Sequence, residues 1–385
     1  MEKNVGLMTL NSQMYNYGGI LQEYALQKAI ELLTPRCQII DYNVSTELTT
    51  FSIKRSIQNI SFDKISNRIM SRFSSDRVMV SVDVSDKVEE RRKRFDIFRN
   101  DFLCLSNRYV YPQLTEVELD YDILICGSDQ IWNPDYNIPS FFMGFGKAKV
   151  VRAVYAASIG KSVLTKYQKK VYSRYLKNID YVSVREESAR EMMQPYCEKS
   201  IYNVLDPTLL LDVAEWKQLA EISDLQYSEY IFCYFLENTK EKIEEATNFA
   251  KKAGKRIIVI PYLHDAYEEC YEYFGDIKLS SVGPSDFLSL IKNADFVITD
   301  SFHATVFSLI FGRTFYVFNR KSGNYNMNTR IENLLLMINS EDRLIVSEDL
   351  RKIDPVQRVI HNFEVEIQPY KKYSVEFLKM VIYSE

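Results

Sequence analysis

The sequence predicts an α/β protein made of two doubly wound, Rossmann-like domains. Its 385 residues exceed what one hydrophobic core usually serves, so we expect two domains. Short apolar runs alternate with amphipathic segments in two separate blocks, which is the pattern of parallel strands joined by crossover helices. Hydrophobic residues make up 46% of the chain and charged residues 26%, with only 12 Gly and 10 Pro, so the composition is that of a globular protein.

The first block opens with a strand, a helix and a second strand. Val5–Leu10 is apolar, Ile20–Leu33 repeats apolar residues at helical spacing, and Cys37–Tyr42 is apolar again. A parallel pair connected in this way takes a right-handed crossover. Three further buried strands are predicted in this block: Tyr121–Cys126, Val150–Ala156 and Tyr181–Val184.

Residues from about 50 to 110 interrupt this rhythm with a basic, Ser-rich insertion. It contains the charge run Glu89–Arg94, and two amphipathic helices fit its length. Two interpretations stay open for the stretch from Lys54 to Arg94. It is either a solvated helical face, or a basic lid or surface that associates with anionic lipid head groups.

The second block alternates strands and helices again: strand Tyr230–Phe235, helix Lys240–Lys252, strand Lys255–Pro261, helix Pro284–Asn293, strand Asp295–Thr299, helix Ser301–Phe311 and strand Thr314–Phe318. We therefore expect an N-terminal domain over residues 1–205, a C-terminal domain over 206–345 and a C-terminal helical tail over 346–385. The two domains are expected to face each other.

Polar clusters follow the predicted strands in both blocks. Ligands bind open α/β sheets outside the carboxyl ends of the strands, so we expect these clusters to line one cleft between the domains. The clusters are Asn16–Gly19, Gly127–Asn133, Ala157–Gly160, Arg185–Ser188 and Asp300–His303.

Charge and cysteine usage exclude several classes of protein. Lys and Arg total 48 against 52 Asp and Glu, a net charge of −4, so nucleic acid is not an expected partner. The six cysteines form no CxxC pair, and no HExxH motif is present, so no metal site is expected. Apolar runs are too short for a membrane span or a signal-peptide core. We therefore expect a cytoplasmic protein, a location that includes the inner face of the membrane.

Three cationic side chains are the main candidates for an anion site. His303 lies in the first turn of the helix predicted to begin at Ser301, where free amides attract phosphate or carboxylate. An imidazole beside an anion suits a general acid near neutral pH, although a histidine bonded to the backbone at a helix start fits the sequence equally well. Arg185 and Arg330 are candidate anion clamps, with a surface salt bridge as the alternative for each. Weaker candidates on the same grounds are Lys161, Arg313, Arg320 and Lys321.

Residues 127–133 include the residue types that are typical of a sugar-binding site. Trp132 offers a ring for stacking, Ser128, Gln130 and Asn133 offer polar groups for hydroxyls, and Asp129 is a candidate base. In the other clusters, Gly18 and Gly19 allow a close backbone approach to a ligand or simply make a tight turn. The polar residues that complete the candidate substrate site are Asn16, Ser158 and Ser301.

Eight motifs occur in order along most of the chain. They are Asn16–Gln22 with Tyr24–Gln27, Tyr121–Pro134, Tyr155–Gly160, Val182–Glu186, Asp206–Leu211, Thr299–Ala304, Phe311–Phe315 and Asn328–Ile331. In these motifs the sequence resembles the polysaccharide pyruvyl transferase family. The resemblance implies a fold similar to GT-B glycosyltransferases.

The activity implied is transfer of a pyruvyl group from phosphoenolpyruvate to a sugar of a surface polysaccharide, such as an exopolysaccharide or capsule, or to its lipid-linked precursor. The reaction forms a ketal across two hydroxyls and releases phosphate, with no cofactor beyond the donor substrate. The C-terminal domain would hold the donor and the N-terminal domain the acceptor.

In the family an Arg-Leu-His motif and a further arginine are associated with the donor. His303 falls on the histidine and Arg185 on the further arginine, while Ser301 and Phe302 stand where Arg-Leu is found. We expect Arg330 or Arg313 to replace the missing charge.

Two other functions stay open. One is a glycosyltransferase that uses a nucleotide-sugar donor on the same architecture, because fold does not fix function. The other is a non-catalytic sugar-binding protein of polymer assembly. Phosphoenolpyruvate should stabilise a pyruvyl transferase thermally, UDP or GDP a glycosyltransferase, and neither of them a scaffold protein.

Overall fold

The computed structural model describes residues 2–10, 15–44, 47, 79–80, 85–117, 120–134, 138–146, 149–161, 163–261, 267–320, 328–345, 349–355 and 363–384. The chain divides into two units. Unit 1 comprises Met1–Ser75, Phe102–Leu210 and Pro369–Glu385, and unit 2 comprises Asp76–Asp101 and Leu211–Gln368.

The strands of the described residues are β1 (Val5–Met8), β2 (Cys37–Tyr42), β3 (Met79–Val80), β4 (Leu105–Tyr109), β5 (Ile123–Asp129), β6 (Val151–Ala157), β7 (Tyr181–Val184), β8 (Ile201–Asn203), β9 (Tyr230–Tyr234), β10 (Arg256–Val259), β11 (Tyr267–Glu268), β12 (Ile277–Lys278), β13 (Phe296–Thr299), β14 (Thr314–Phe318) and β15 (Leu344–Ile345).

The α-helices of the same residues are α1 (Tyr17–Glu31), α2 (Ser85–Phe102), α3 (Leu114–Val117), α4 (Lys166–Leu176), α5 (Glu187–Met193), α6 (Val213–Glu221), α7 (Lys240–Ala253), α8 (Pro284–Asn293), α9 (Phe302–Ile310), α10 (Thr329–Met337) and α11 (Phe363–Ile382).

Unit 1 is built on a seven-stranded sheet in the order β4-β2-β1-β5-β6-β7-β8. Every neighbouring pair in it is parallel. Its inner strands carry apolar residues on both faces because helices cover both sides of such a sheet. The sequence pattern missed the two edge strands, β4 and β8. β4 consists of half-buried and exposed residues, so it has no apolar run by which to recognise it.

Unit 2 is built on a six-stranded sheet in the order β12-β10-β9-β13-β14-β15, again with parallel pairs. Strands β3 and β11 form a separate antiparallel pair. The doubly wound α/β architecture predicted from the alternation is confirmed in both units.

Helix α2 belongs with unit 2, although it lies within the N-terminal half of the sequence. Arg91, from the predicted charge run, is buried, and its Nε and Nη2 donate to the carbonyls of Ser280 and Pro261 at 2.7 and 2.9 Å. Arg94 forms an ion pair with Asp286 at 3.1 Å. These two arginines are therefore engaged within unit 2, so the charge run is more than a solvated face.

Residues 50–78 and 81–84 of the expected insertion, Lys54 among them, lie outside the described residues. No helix in the described part of the chain combines the length and the apolar character needed to cross a bilayer.

The C-terminal helix α11 is not a separate tail, because the division between the units falls inside it at Pro369. Its second part packs on unit 1. The N–H of Leu205 donates to Ser374 Oγ at 2.9 Å, and the Phe377 ring lies 5.2 Å from that of Tyr202 and 6.2 Å from that of Tyr155. The main division along the chain follows Leu210, where residue 205 was expected.

Candidate functional site

The carboxyl edge of the unit 1 sheet, formed by the residues that follow β1, β5, β6, β7 and β8, presents Asp129. This residue ends β5 with a left-handed φ of 64°, a conformation that Asp tolerates better than most residues and that concentrates at functional sites. Its side chain is 18% exposed. The neighbouring candidates Ser128, Gln130, Asn133 and Ser158 are all buried, so Asp129 is the group of this cluster that reaches the surface of unit 1.

Arg185 follows β7 and is held by three carboxylates. Its Nη1 pairs with Asp206 Oδ2, its Nε lies 3.3 Å from Glu186 Oε1, and its Nη2 lies 3.3 Å from Asp129 Oδ1. Burial alone would lower the pKa of the guanidinium, but the three carboxylates together raise it above its ordinary value. The expected role of Arg185 as a clamp for a substrate anion does not fit this geometry, because carboxylates already occupy its guanidinium.

Ser128 supports the loop and does not face a ligand. Its backbone N–H donates to Gln22 Oε1 at 3.1 Å, and its hydroxyl donates to the Ala156 carbonyl at 2.9 Å. Gln22 comes from the buried side of α1. The prediction that Ser128 contacts substrate is therefore wrong, and the role of Gln22 was missed because the residue sits inside a helical repeat with no chemical signature.

Trp132 is a core residue and not the expected stacking surface for a sugar. It is 1% exposed, its Nε1 donates to the Phe141 carbonyl at 3.3 Å, and its ring stacks on that of Phe142 at 5.2 Å. Phe141 and Phe142 come from a short 3-10 helix that the sequence pattern did not reveal.

Gln130 and Asn133 are buried and bond to each other. The Asn133 Nδ2 donates to Gln130 Oε1 at 2.8 Å, and both residues are 7% exposed. Gly160 closes over this pair with φ of 64°, and a Cβ there would lie 2.8 Å from Gln130 Oε1. These residues shape the loop that carries Asp129.

The expected glycine turn is the start of α1. Asn16 caps the helix, with its side chain accepting from the Gly19 N–H at 3.0 Å. Gly18 and Gly19 are buried in the first turn. Ser158, after β6, is fully buried, and its backbone N–H donates to the Asp129 carbonyl at 2.8 Å.

The carboxyl edge of the unit 2 sheet, formed by the residues that follow β9, β13 and β14, presents the start of α9. Ser301 is the N-cap of this helix and accepts from the Ala304 N–H at 3.4 Å, so the prediction that a helix begins here is confirmed. His303 is the second residue of α9 and is 7% exposed. Its imidazole ring lies 5.2 Å from the Phe302 ring, nearly perpendicular to it.

Arg330 comes to the same place from helix α10. Its guanidinium carbon lies 5.8 Å from the centre of the Phe302 ring, within the range of a cation–π contact. Asn328 fixes the start of α10, because it accepts from the Arg320 N–H at 2.9 Å and donates to the Arg320 carbonyl at 3.2 Å. Arg330 and His303 therefore both lie against the Phe302 ring.

Arg313 lies at the other end of the sheet. It precedes β14, whereas His303 follows the carboxyl end of the neighbouring strand β13, and the two strands are parallel. Its Nε donates to the Phe311 carbonyl at 3.1 Å, and its charge lies near Tyr230 at the start of β9. The expectation that Arg313 contacts substrate is wrong, because parallel strands place it at the amino edge.

The candidate residues thus form two groups. Arg185 and Asp129 meet in unit 1, and His303, Ser301 and Arg330 meet in unit 2. Lys321, one of the weaker candidates, lies outside the described residues. Within the described ranges, no three His, Cys, Asp or Glu side chains are grouped so that they could hold a metal ion.

Comparison with known proteins identifies both the fold and the family. No curated protein sequence gives a match. The UDP-GlcNAc 2-epimerase from Methanocaldococcus jannaschii has a similar structure, with a TM-score of 0.55 at 13% identity over 99% of this chain and 100% of that chain. The same enzyme in complex with UDP-GlcNAc and UDP gives a TM-score of 0.50 at 12% identity over 99% and 100%.

These likenesses concern the fold alone, and they agree with the predicted GT-B-like class. The sequence comparison goes further than these structural likenesses. A model of the polysaccharide pyruvyl transferase family matches residues 16–322, which include the loops at both carboxyl edges. The chain belongs to the polysaccharide pyruvyl transferase family.

Proposed function

We propose that this protein transfers a pyruvyl group from phosphoenolpyruvate to two hydroxyls of a sugar, forming a ketal and releasing phosphate. The acceptor is a sugar of a surface polysaccharide or of its lipid-linked precursor. The observation that carries the proposal is the position of Arg330, whose guanidinium lies over the Phe302 ring, against which His303 also packs. Arg330 supplies a cation near Ser301 and Phe302, which replace the Arg-Leu of the Arg-Leu-His motif.

The donor is a small anion with a phosphate and a carboxylate, and the unit 2 edge suits it. The first amides of α9 point outwards from the helix, which favours an anion there. Arg330 adds a guanidinium, which binds phosphate or carboxylate through paired N–H groups. His303 supplies a proton donor within the same turn, where it can serve the phosphate leaving group as a general acid.

The acceptor is a neutral sugar, and the unit 1 edge suits that. A carboxylate removes a proton from a hydroxyl when the two lie within hydrogen-bond reach, and Asp129 is the partly exposed carboxylate of that edge. The first sugar oxygen bonds to C2 of phosphoenolpyruvate while the methylene carbon gains a proton and becomes a methyl group. The second oxygen then bonds to C2 as the bond from C2 to the phosphate oxygen breaks. The two hydroxyl protons are thus balanced by one on the methyl carbon and one on the released phosphate.

Phosphate release from phosphoenolpyruvate in the presence of a panel of hexose acceptors tests this function. We expect release that depends on both the donor and one class of acceptor, and a product that carries a pyruvate ketal by mass. Thermal stabilisation by phosphoenolpyruvate, with none by UDP or GDP, is the expected binding result. Stabilisation by UDP or GDP alone would instead support the nucleotide-sugar glycosyltransferase.

A further inference from the structure

Arg185 stands in a setting that is unusual for a substrate-binding arginine. Its side chain is 3% exposed, and carboxylates lie against its Nε, Nη1 and Nη2. Among these four groups the carboxylates outnumber the guanidinium three to one. A phosphate or carboxylate ligand would have to approach this excess of negative charge, which costs Coulomb energy in a region of low dielectric constant.

Two of the three carboxylates fix the guanidinium in place. Asp206 is 1% exposed, and its other oxygen accepts from the Thr208 N–H at 3.1 Å and from the Thr208 hydroxyl at 2.6 Å. Glu186 is 3% exposed and follows Arg185 directly. Because Asp206 is fixed by burial and hydrogen bonds and Glu186 by burial, the two acids hold the guanidinium of Arg185 in one orientation.

The third carboxylate is the one that reaches the surface. The side chain of Asp129 is 18% exposed, whereas those of Asp206 and Glu186 are only 0% and 4% exposed. The Nη2 of Arg185 meets Asp129 Oδ1 at 3.3 Å. The guanidinium therefore lies between the buried carboxylates of Asp206 and Glu186 and the partly exposed carboxylate of Asp129. This arrangement orients Asp129.

We propose that Arg185 is a positioning residue for Asp129 and not a ligand of the donor. It keeps the Asp129 carboxylate oriented towards the acceptor hydroxyl, from which Asp129 takes the proton. This inference rests on the proposed function, in which Asp129 is the base.

The test compares Arg185→Gln and Arg185→Lys with Arg190→Gln. Arg190 is a matched control, because it is a partly exposed arginine of the same unit, paired with Glu187 three residues away. Arg185→Lys keeps the positive charge beside Asp206 but loses the planar fork that reaches Asp129, so it provides a folded variant if Arg185→Gln does not fold.

We expect both Arg185 variants to lose kcat by roughly 10²-fold or more, within the range of a misplaced general base, with KM for phosphoenolpyruvate unchanged within about twofold. Arg190→Gln should match the wild type in both constants. Adding Asp129→Asn to Arg185→Lys should cost no more than Asp129→Asn alone, because two residues that act through one group are not additive. Independent losses that multiply would overturn the proposal.

Phosphoenolpyruvate binding, measured by thermal shift, separates this proposal from the proposed function. If the wild type and Arg185→Lys are stabilised equally, the positioning role is supported. If the wild type is stabilised and Arg185→Lys is not, Arg185 is a donor ligand and the proposal is wrong. If the wild type itself is not stabilised and releases no phosphate, the proposed function fails, and with it the role of Asp129 as base.

Discussion

Lys242 and Asp300 form a buried ion pair behind the helix that carries His303. The Nζ of Lys242 lies 2.7 Å from Asp300 Oδ2, and the side chains are 3% and 0% exposed. Asp300 also accepts from the backbone N–H groups of Leu236 at 2.6 Å and Glu237 at 3.1 Å. Because Asp300 directly precedes the N-cap of α9, these bonds attach the start of that helix to the loop after β9.

We predict that Lys242→Met destabilises unit 2 strongly. Loss of the ammonium leaves Asp300 buried without its cation, which costs about 3–5 kcal/mol in comparable pairs. Lys240→Met is the control on the same helix, since Lys240 is 87% exposed and its pair with Glu244 should be worth about 1 kcal/mol or less. Urea unfolding of both variants measures the difference, and equal midpoints would contradict a structural role for the buried pair.

His303→Ala should abolish transfer while leaving the fold intact. The imidazole is the proton donor proposed for the unit 2 edge, and removing a general acid typically costs 10²–10⁴-fold in rate. Phosphate release gives the rate, and circular dichroism with thermal unfolding checks the fold. Turnover within a few-fold of the wild type would remove His303 from the mechanism.

Arg330→Gln should weaken the binding of phosphoenolpyruvate. One charge-assisted interaction with an anion is worth about 1.5–3 kcal/mol, or roughly a 10- to 150-fold rise in the dissociation constant. Arg313→Gln is the matched control, because Arg313 lies at the amino edge of the same sheet. Calorimetric titration of both variants is decisive: equal affinity in the Arg330 variant and the wild type would mean that Arg330 does not replace the missing arginine.

Gly160→Ala should lower activity more than Gly254→Ala does. Both glycines have φ of 64°, but a Cβ at residue 160 would lie 2.8 Å from Gln130 Oε1, and one at residue 254 would meet nothing within 4 Å. The backbone cost of about 1 kcal/mol is therefore shared, and only Gly160→Ala displaces the Gln130 side chain next to Asp129. Comparable kcat values in the two variants would show that the loop tolerates this displacement.

The buried carboxyl of Glu47 should make the stability of unit 1 depend on pH. Burial raises its pKa above the ordinary 4.5, although bonds from Ser140 and Tyr42 oppose the shift. The folded state thus favours the protonated form, so this contribution to stability is present below pH 4.5 and is lost as the pH rises through the raised pKa.

Glu47→Gln removes that titration while keeping an acceptor for the Ser140 N–H, which bonds Glu47 Oε1 at 3.0 Å. We expect the melting temperature of the wild type to fall relative to that of the variant as the pH rises above 4.5. Melting curves over a pH series check this. Parallel pH profiles for the two proteins would show that the Glu47 carboxyl does not titrate within the folded range.

The alternation of strands and helices could be predicted from the sequence because buried parallel strands are short apolar runs. Strands Cys37–Tyr42, Tyr181–Val184 and Thr314–Phe318, with helix Pro284–Asn293, agree with the structure in both bounds. The edge strands and the assignment of helix α2 to unit 2 were missed. They depend on contacts with distant segments, as in the bonds of Arg91 to residues 170 and 189 positions away.

The amino-acid sequence by itself determined the family and the positions at which polar residues follow strands, since both are local patterns of residue type. Only the tertiary structure decided which of those residues are accessible to a substrate. Two of the three acids that contact Arg185 come from 21 and 56 positions away, and Trp132 lies in the core, stacked on Phe142. Whether a charge or a ring is open to substrate depends on what the fold packs against it, and no local pattern records that.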